Sequence, residues 1–284
     1  MSAFTILKES MFGMSPTETR IAQYMLTNSE QLPQTTISTI AQQCQTSKSM
    51  VVQVCKKASF KGYKDMCSQL CVEHALHEQQ QSEPDYQDLH PGCTVAQLCQ
   101  LTIREEIRSI EDTGAIFEPE AMEDAVKALT TADKIVLFGV GSSAVVALDA
   151  NNKFWRIGLN VRFSQDTHCQ MLEIATMDEH SVALIFSYSG CTKDMLDACR
   201  LSRECGAKVI SMTRYGHNPL SDNADIRLFV ASNESLQRTT AMSSRLTMLT
   251  MVDVLFACIS GRMYDEIQTV LSRAATIAAE RKKV

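Results

Sequence analysis

Two short segments carry the residues best suited to binding an anion. Gly139–Ser143 reads Gly-Val-Gly-Ser-Ser, and Ser187–Thr192 reads Ser-Tyr-Ser-Gly-Cys-Thr. Glycine lets a backbone approach a ligand closely, and serine and threonine hydroxyls donate hydrogen bonds to phosphate oxygens. The two segments together predict a site for a phosphate monoester on a small polar molecule.

The spacing of these residues excludes two common nucleotide motifs. No lysine follows a Gly-x-x-x-x-Gly pattern, as it does in a nucleotide P-loop, and the first segment lacks the third glycine of a dinucleotide fingerprint. Glu173 and His180 could form an acid-base pair for sugar isomerisation. Glu173 is expected on a short helix and His180 in a polar turn, however, which favours positions on the solvated surface for both. His168 could contact a sugar hydroxyl or cap the helix that follows it.

The chain downstream of residue 93 predicts a scaffold for the two segments. Apolar runs that predict strands alternate with helical segments, which indicates a parallel sheet covered by helices on both faces. The predicted strands are Lys134–Val140, Val161–Phe163, Ser181–Phe186, Lys208–Met212 and Ile226–Val230. The predicted helices are Thr94–Thr113, Glu118–Thr130, Ser142–Ile157, Cys169–Thr176, Lys193–Cys205 and Met242–Ile259, and Gly158 and Gly206 occupy helix C-cap positions.

This alternation predicts an α/β flavodoxin-like fold with a five-stranded parallel sheet in the order 2-1-3-4-5. In that order the first and third strands are neighbours at the topological switch point. The two hydroxyl-rich segments follow these strands, so they would face each other across the crevice where ligands bind. Each segment also opens a helix, and the N-terminus of a helix favours an anion.

A different pattern precedes this scaffold. Ser15–Glu18 is a capping box that predicts a helix to about Leu26. Ser38 is expected to cap a short helix, and after a turn at Gln45 and Thr46, Ser47 is expected to cap a polar, basic helix reaching about Ala58. Two short helices joined by a tight turn predict an all-α helix-turn-helix domain, although the lysines could instead be the solvated face of a small bundle.

In a helix-turn-helix the second helix enters the major groove of DNA. Its first residues can read base edges, whereas later lysines are better placed for phosphates. The predicted DNA-binding residues are Ser47, Lys48, Ser49, Gln53, Lys56, Lys57 and Lys61.

Charge is distributed unevenly along the chain. The net charge of −6 argues against a nucleic-acid ligand for the chain as a whole. Residues 1–77, however, carry 7 basic and 5 acidic side chains, a net of +2, and the remainder carries −8. The first 77 residues therefore remain compatible with DNA.

Composition also bears on location and cofactors. The first residues lack the basic and apolar regions of a secretory signal, and no run approaches 18 uncharged apolar residues. The 11 cysteines include no Cys-x-x-Cys pair, which favours reduced thiols over disulfides or zinc. We expect a cytoplasmic protein with no membrane partner, no metal and no cofactor.

Residues 78–93 are polar, contain two prolines and show no apolar period, which indicates a linker. The predicted organisation is a helix-turn-helix domain over 1–77, the linker over 78–93, and the α/β domain over 94–284.

The chain resembles the RpiR family of bacterial transcriptional regulators, which join a helix-turn-helix to a sugar isomerase (SIS) phosphosugar-binding domain. The resemblance covers nearly the whole chain. It depends on Ser47–Lys57, Phe60–Tyr63, the two hydroxyl-rich segments, Asp166–His168, Asn218–Leu220, Ala224–Asp225, and Ser244–Arg245 with Asp253.

The resemblance implies a regulator of sugar-metabolism genes, expected to be a repressor, controlled by a phosphorylated sugar or amino sugar. It implies that Ser143, Ser187, Ser189 and Thr192 bind the phosphate, and the predicted ligand site also includes Gly141, Ser142, Gly190 and His168. The implied partners are a palindromic operator DNA and a homodimer or homotetramer, with no catalytic residues. The alternatives are a sugar-phosphate isomerase or lyase of the SIS fold, and a phosphosugar-binding adaptor protein.

Overall fold

A computed structural model describes residues 3–70, 93–232 and 241–281. The described helices are α1 (Ala3–Ser10), α2 (Pro16–Thr27), α3 (Ile37–Gln43), α4 (Lys48–Lys57), α5 (63–70), α6 (Val95–Ala115), α7 (Pro119–Thr131), α8 (Ser142–Arg156), α9 (Thr167–Ile174), α10 (Lys193–Glu204), α11 (Pro219–Asn223), α12 (Ser243–Arg262) and α13 (Tyr264–Arg281). The strands are β1 (Lys134–Phe138), β2 (Val161–Arg162), β3 (Ser181–Phe186), β4 (Lys208–Arg214) and β5 (Ile226–Val230). Residues up to Ile116 form most of one compact unit, and a second unit begins at Phe117 and contains the sheet.

The first unit is a small helical bundle. The capping box at Ser15 and Glu18 begins α2, as expected, with Pro16 in its first turn. The apolar face of α2 is completely buried and belongs to the same core as the buried face of α4. These core residues are Ile21, Ala22, Met25, Val51, Val54 and Cys55.

The expected cap of α3 was wrong. Thr36, not Ser38, caps this helix, because the Thr36 hydroxyl accepts a hydrogen bond from the backbone N–H of Thr39 at 3.2 Å. Thr36 has the extended backbone of an N-cap residue, which leaves Ser38 exposed inside the first turn. The helix therefore starts at Ile37, two residues earlier than a cap at Ser38 would allow.

Non-glycine residues in the left-handed conformation follow both α3 and α4. Gln45 has φ 48°, and the N–H of Thr46 donates to the carbonyl of Ala41 at 2.8 Å. Ser59 has φ 63°, and the N–H of Phe60 donates to the carbonyl of Cys55 at 3.0 Å. These bonds have the Schellman pattern in which glycine is the usual residue, and they fix where α4 begins and ends.

The sheet of the second unit confirms the expected fold class. Its five strands are all parallel in the order β2-β1-β3-β4-β5. β3 and β5 have the predicted bounds, whereas β1 and β2 are shorter than predicted and β4 extends to Arg214. β1 and β3 are hydrogen-bonded neighbours with Phe138 opposite Ile185.

Both faces of the sheet are covered by helices. All six residues of β3 are buried, as expected for a central parallel strand. One core cluster contains side chains from α7, α8 and α12, and the other contains side chains from α9, α10 and α11. Ile157 and Cys205 are the C-cap residues of α8 and α10, so Gly158 (φ 90°) and Gly206 (φ 85°) lie one residue beyond the predicted C-cap positions, in the left-handed conformation that ends each helix.

Among the described helices, α12 is long and apolar enough, by length and composition alone, to cross a bilayer. In this structure 39% of the most apolar 18-residue stretch of α12 is buried. Met248, Val252, Leu255 and Ile259 of α12 belong to the core cluster on one face of the sheet. This packing is that of the core helix of a globular domain.

Some sequence predictions lie partly outside the described residues. The sequence also predicts a turn at Phe60–Tyr63 that leads into a further helix to about Leu76, and this helix is described over 63–70. The linker predicted over 78–93 falls almost entirely in the range that is not described. Two described helices, α1 and α13, were not expected from the sequence.

Candidate functional site

The first hydroxyl-rich segment is a tight turn from β1 into α8. Gly141 is the N-cap of α8 and has φ 59°, a conformation that L side chains rarely adopt. A Cβ on Gly139 would lie 2.7 Å from the carbonyl oxygen of Ser143. Glycine at these two positions therefore permits the turn, which leaves Ser142 and Ser143 half-buried in the first turn of α8.

Gln170, a residue that the sequence analysis missed, supports this turn. Its side chain is 1% exposed, and its Oε1 accepts a hydrogen bond from the N–H of Gly139 at 3.1 Å. Its Nε2 donates to the carbonyls of Gly139 at 3.0 Å and Ser164 at 2.7 Å. The signal in the sequence was a glutamine four residues before buried Ile174, hence on the buried face of α9.

The second segment turns from β3 into α10. The N–H of Ser187 donates to the carbonyl of Met212 at 3.1 Å, which continues the β3–β4 ladder by one residue. The Ser187 hydroxyl is buried and donates to Thr192 Oγ1 at 3.3 Å. Ser189 Oγ accepts from the N–H of Cys191 at 3.2 Å. Since a hydroxyl has one donor and two acceptor positions, Ser189 keeps its O–H available for a ligand.

Asn218 holds the second segment in place. Gly190 has φ 65°, and its carbonyl accepts a bond from the N–H of Leu220 at 3.0 Å. The buried Asn218 side chain caps α11 through the N–H of Ser221 at 2.9 Å and donates to Thr213 Oγ1 at 3.1 Å. The amide of Asn218 occupies the space that a side chain at position 190 would need.

The sheet register brings the two segments to the same edge. β1 and β3 are adjacent and parallel, with Phe138 opposite Ile185 near their carboxyl ends. The helices that follow, α8 with 15 residues and α10 with 12, both begin at this edge. Two helix N-termini and a set of hydroxyls on neighbouring strands form an arrangement that favours an anion.

The three other candidates lie elsewhere or have different roles than expected. His168 is exposed in the first turn of α9, and Asp166, not His168, caps that helix through the N–H of Cys169 at 3.1 Å. His180 directly precedes β3, at the amino end of the sheet and thus opposite the two segments. Glu173 is in the last turn of α9, so the pair does not lie at the carboxyl edge.

The predicted DNA-binding residues share one property. All seven are exposed, whereas Val51, Val54 and Cys55 on the other side of α4 are buried. Ser47 caps α4 through the N–H of Met50 at 3.2 Å, as expected, and its hydroxyl also contacts that of Ser49 at 2.8 Å. The exposed residues are Ser47, Lys48, Ser49, Gln53, Lys56, Lys57 and Lys61.

Lys57 differs from the other six in forming an ion pair with another side chain among the described residues. Its Nζ lies 2.7 Å from Oε1 of Glu18. Burial raises the pKa of the Glu18 carboxyl, but hydrogen bonds from Lys57 and Ser15 outweigh it, and the pKa is below its ordinary value of 4.5. The charged carboxylate is therefore the stable form at neutral pH.

This lowered pKa predicts a pH-dependent contribution to stability. Because the pKa of Glu18 is lower in the folded state, the charged carboxylate should stabilise the protein at neutral pH, and this stabilisation should be lost as the pH falls below about 4.5. We expect urea unfolding to give a difference between wild type and Glu18→Gln that is largest near pH 7 and shrinks toward pH 3. A difference that stays constant over this range would contradict the assignment.

No metal-binding cluster is evident within the described residues, where no three His, Cys, Asp or Glu side chains come together. Burial raises the pKa of the Cys55 thiol to about 12, and it also raises the pKa of Cys199. Both cysteines lie in apolar cores, where protonated thiols behave as small apolar side chains.

Comparison with known proteins identifies both parts of the chain. The helix-turn-helix domain of the rpiR family matches residues 1–77, and the SIS domain matches residues 128–258. An uncharacterized HTH-type transcriptional regulator of Caldanaerobacter subterraneus subsp. tengcongensis is 32% identical over 281 residues, 98% of this chain and 97% of the relative. The HTH-type transcriptional regulator RpiR of Escherichia coli (strain K12) is 26% identical, over 95% of this chain and 90% of the relative.

A solved structure has the same architecture. The Vibrio vulnificus NanR protein, solved in complex with ManNAc-6P, covers 98% of both chains with a TM-score of 0.61 and 24% sequence identity. This likeness shows the fold, and the relative at 32% identity shows the family. The chain is thus a member of the RpiR family of HTH-type transcriptional regulators, with an N-terminal helix-turn-helix and a SIS domain.

Proposed function

We propose that the SIS domain binds a phosphorylated sugar or amino sugar and thereby controls DNA binding by the helix-turn-helix domain. The observation that carries this proposal is the placement of two hydroxyl-rich turns on the paired strands β1 and β3, each opening a helix at the same edge of the sheet. The NanR structure, solved with ManNAc-6P, supports a phosphosugar as the ligand class.

The proposed ligand contacts follow from hydroxyl geometry. Ser189 keeps a free donor while accepting from Cys191, and Thr192 accepts from Ser187, which leaves the Thr192 O–H to donate onward. Backbone N–H groups of the first turn of a helix have no partner within the helix and can complete the phosphate shell. The proposed ligand site comprises Gly141, Ser142, Ser143, Ser187, Ser189, Gly190, Thr192 and, for the sugar, His168.

The proposed DNA site is the exposed face of α4. Lys48, Ser49 and Gln53 would reach base edges, whereas Lys56 and Lys61 would contact phosphates, and Ser47 would lie beside them at the start of α4. A homodimer or homotetramer would place two α4 helices about one turn of DNA apart on a palindromic operator. A ligand that changes the placement of two subunits would change this spacing, and with it the affinity.

Other parts of the proposal concern organisation and location. We assign the DNA-binding domain to 1–77, the linker to 78–93 and the ligand-binding domain to 94–284, and we place the protein in the cytoplasm with no membrane partner. The relatives of this chain are transcriptional regulators, and we propose that the chain itself has no catalytic activity. An isomerase assay on pentose and hexose phosphates tests that last point directly.

A thermal-shift experiment tests the ligand proposal. We expect ManNAc-6P or another sugar phosphate, at about 100 times its Kd, to stabilise the protein by about 2.7 kcal/mol. Unphosphorylated ManNAc should give no shift at the same concentration. If no phosphorylated sugar in a panel of pentose, hexose and amino-sugar phosphates gives a shift, the sensing role is wrong.

A serine variant tests the site itself. Ser189→Ala should weaken sugar-phosphate binding about tenfold or more, because a hydrogen bond to a charged oxygen contributes roughly 1.5–3 kcal/mol. Ser272→Ala is the matched control, since Ser272 is exposed on α13 and bonds only within its helix in this structure. Equal affinities of the two variants, measured by calorimetry, would place the ligand elsewhere.

A further inference from the structure

The ion pair between Glu18 and Lys57 joins two helices of the DNA-binding unit. Glu18 lies in the first turn of α2 and Lys57 is the last residue of α4. Glu18 is 3% exposed, and its two carboxylate oxygens have separate partners: Oε1 contacts Lys57 Nζ at 2.7 Å, and Oε2 accepts from the N–H of Ser15 at 2.8 Å. The carboxylate thus connects the end of α4 to the beginning of α2.

This contact is costly to break by removing the lysine. Loss of Lys57 leaves the buried carboxylate of Glu18 without its charged partner, whereas Lys57 itself is exposed and stays solvated when Glu18 is changed. Both charges also suit their helices, because an anion is favoured near an N-terminus and a cation near a C-terminus. The pair therefore favours one orientation of α4 against α2, in addition to the apolar contacts of the core.

Neighbouring Lys56 offers a direct contrast. Both lysines are exposed and follow one another at the end of α4. Within the described residues, Lys57 forms an ion pair and none is seen for Lys56. The charge of Lys57 is largely balanced by Glu18, so it has less to offer to a phosphate than the charge of Lys56.

We infer that Lys57 is a positioning residue, which acts through Glu18 to orient the recognition helix α4, and not a phosphate contact. This inference rests on the proposed DNA-binding function. It differs from the expectation drawn from the sequence, where Lys57 stood among the phosphate contacts. Its consequence is that Lys57 should matter for reading a specific site and should matter little for non-specific electrostatic attraction.

The test uses two DNA probes and the full chain. The first probe is a duplex selected from a randomised library by the wild-type protein, and the second is a scrambled duplex of the same length and composition. Lys57→Met should bind the selected duplex about tenfold more weakly, within the usual range for one misplaced base contact. The dependence of both affinities on salt should remain that of wild type, and the loss of affinity for the scrambled duplex should be much smaller than the loss for the selected duplex.

Lys56→Met is the matched control. If Lys56→Met removes one phosphate contact, the slope of log K against log salt should become less steep by about 0.9. Binding to both duplexes should weaken to the same extent. Glu18→Gln makes the protein more positive, so the direction in which its DNA affinity changes gives an independent test. Simple electrostatics predicts tighter DNA binding, whereas positioning predicts the same selective loss as in Lys57→Met, and a double variant no worse than either single variant.

The outcomes separate the inference from the function on which it rests. A lower salt slope for Lys57→Met, with no loss for Glu18→Gln, would show that Lys57 contacts phosphate and would overturn the inference. If circular dichroism shows that Lys57→Met does not fold, Lys57→Arg and Glu18→Gln replace it in the test. Lys57→Arg should bind both duplexes like wild type, and Glu18→Gln should lose affinity for the selected duplex. If wild type selects no sequence at all, the DNA-binding function is wrong and the inference falls with it.

Discussion

Alanine at Gly190 should abolish sugar-phosphate binding and destabilise the second unit by about 3 kcal/mol. Two costs combine at this position. The φ of 65° is unfavourable for any residue with a Cβ, at roughly 1–2 kcal/mol. The added carbon would also overlap the buried amide of Asn218 and lie 2.9 Å from its Cβ, and overpacking of this kind typically costs about 1–3 kcal/mol.

The clash cannot be relieved locally because Asn218 is held from several sides. Its amide caps α11 and donates to Thr213, and the carbonyl of Gly190 accepts from Leu220. A shift of either residue should move Ser189 and Thr192 away from the ligand. We therefore expect loss of the ligand-induced thermal shift together with a lower melting temperature.

Gly206→Ala provides the control for backbone strain alone. Gly206 has φ 85°, and a Cβ there would meet only ordinary contacts at 3.6 Å or more. This variant should lose about 1 kcal/mol from backbone strain alone. It should keep ligand binding, because Gly206 lies beyond the C-terminal end of α10, whereas the second segment precedes its N-terminus. If Gly190→Ala bound the sugar phosphate as well as Gly206→Ala, the second segment would not be part of the site.

Local signals explain why much of the fold could be predicted from the sequence. β3 and β5 were predicted with their observed bounds because β3 is an almost continuous apolar run, and β5 is a short apolar segment interrupted only by the exposed Arg227. The cap at Ser47 was predicted correctly because its serine precedes a helical pattern, whereas Ser38 was wrong because Thr36, two residues earlier, was an equally good cap. When two neighbouring residues can each cap a helix, the tertiary structure decides at which of them the helix begins.

Long-range contacts explain what the sequence did not reveal. The two hydroxyl-rich segments were visible as motifs in the sequence. The residues that hold them are distant in the chain: Gln170 lies 31 positions after Gly139, and Asn218 lies 28 positions after Gly190. The partner of Lys57 is 39 residues away, so a pattern on α4 alone made this lysine look available for DNA. Contacts of this kind follow from packing and leave no periodic trace in the sequence.

Gln170→Met should be strongly destabilising although it leaves every glycine in place. Methionine has a similar length but cannot replace the three hydrogen bonds that Gln170 makes with Gly139 and Ser164. An unsatisfied buried polar group costs about 1–3 kcal/mol, so we expect a loss of about 3 kcal/mol, which is roughly 6–12 °C in melting temperature for a unit of this size. Calorimetry should show this shift.

Ligand binding should fall in the same variant, although Gln170 itself need not touch the ligand. Gly139 connects β1 to the first turn, and without its two bonds the N-terminus of α8 is no longer held at the sheet edge. Gln268→Met, on the exposed surface of α13, is the matched control and should change stability by less than about 0.5 kcal/mol. Unchanged affinity in Gln170→Met, once the protein is shown to be folded, would mean that the first turn is positioned by the sheet alone.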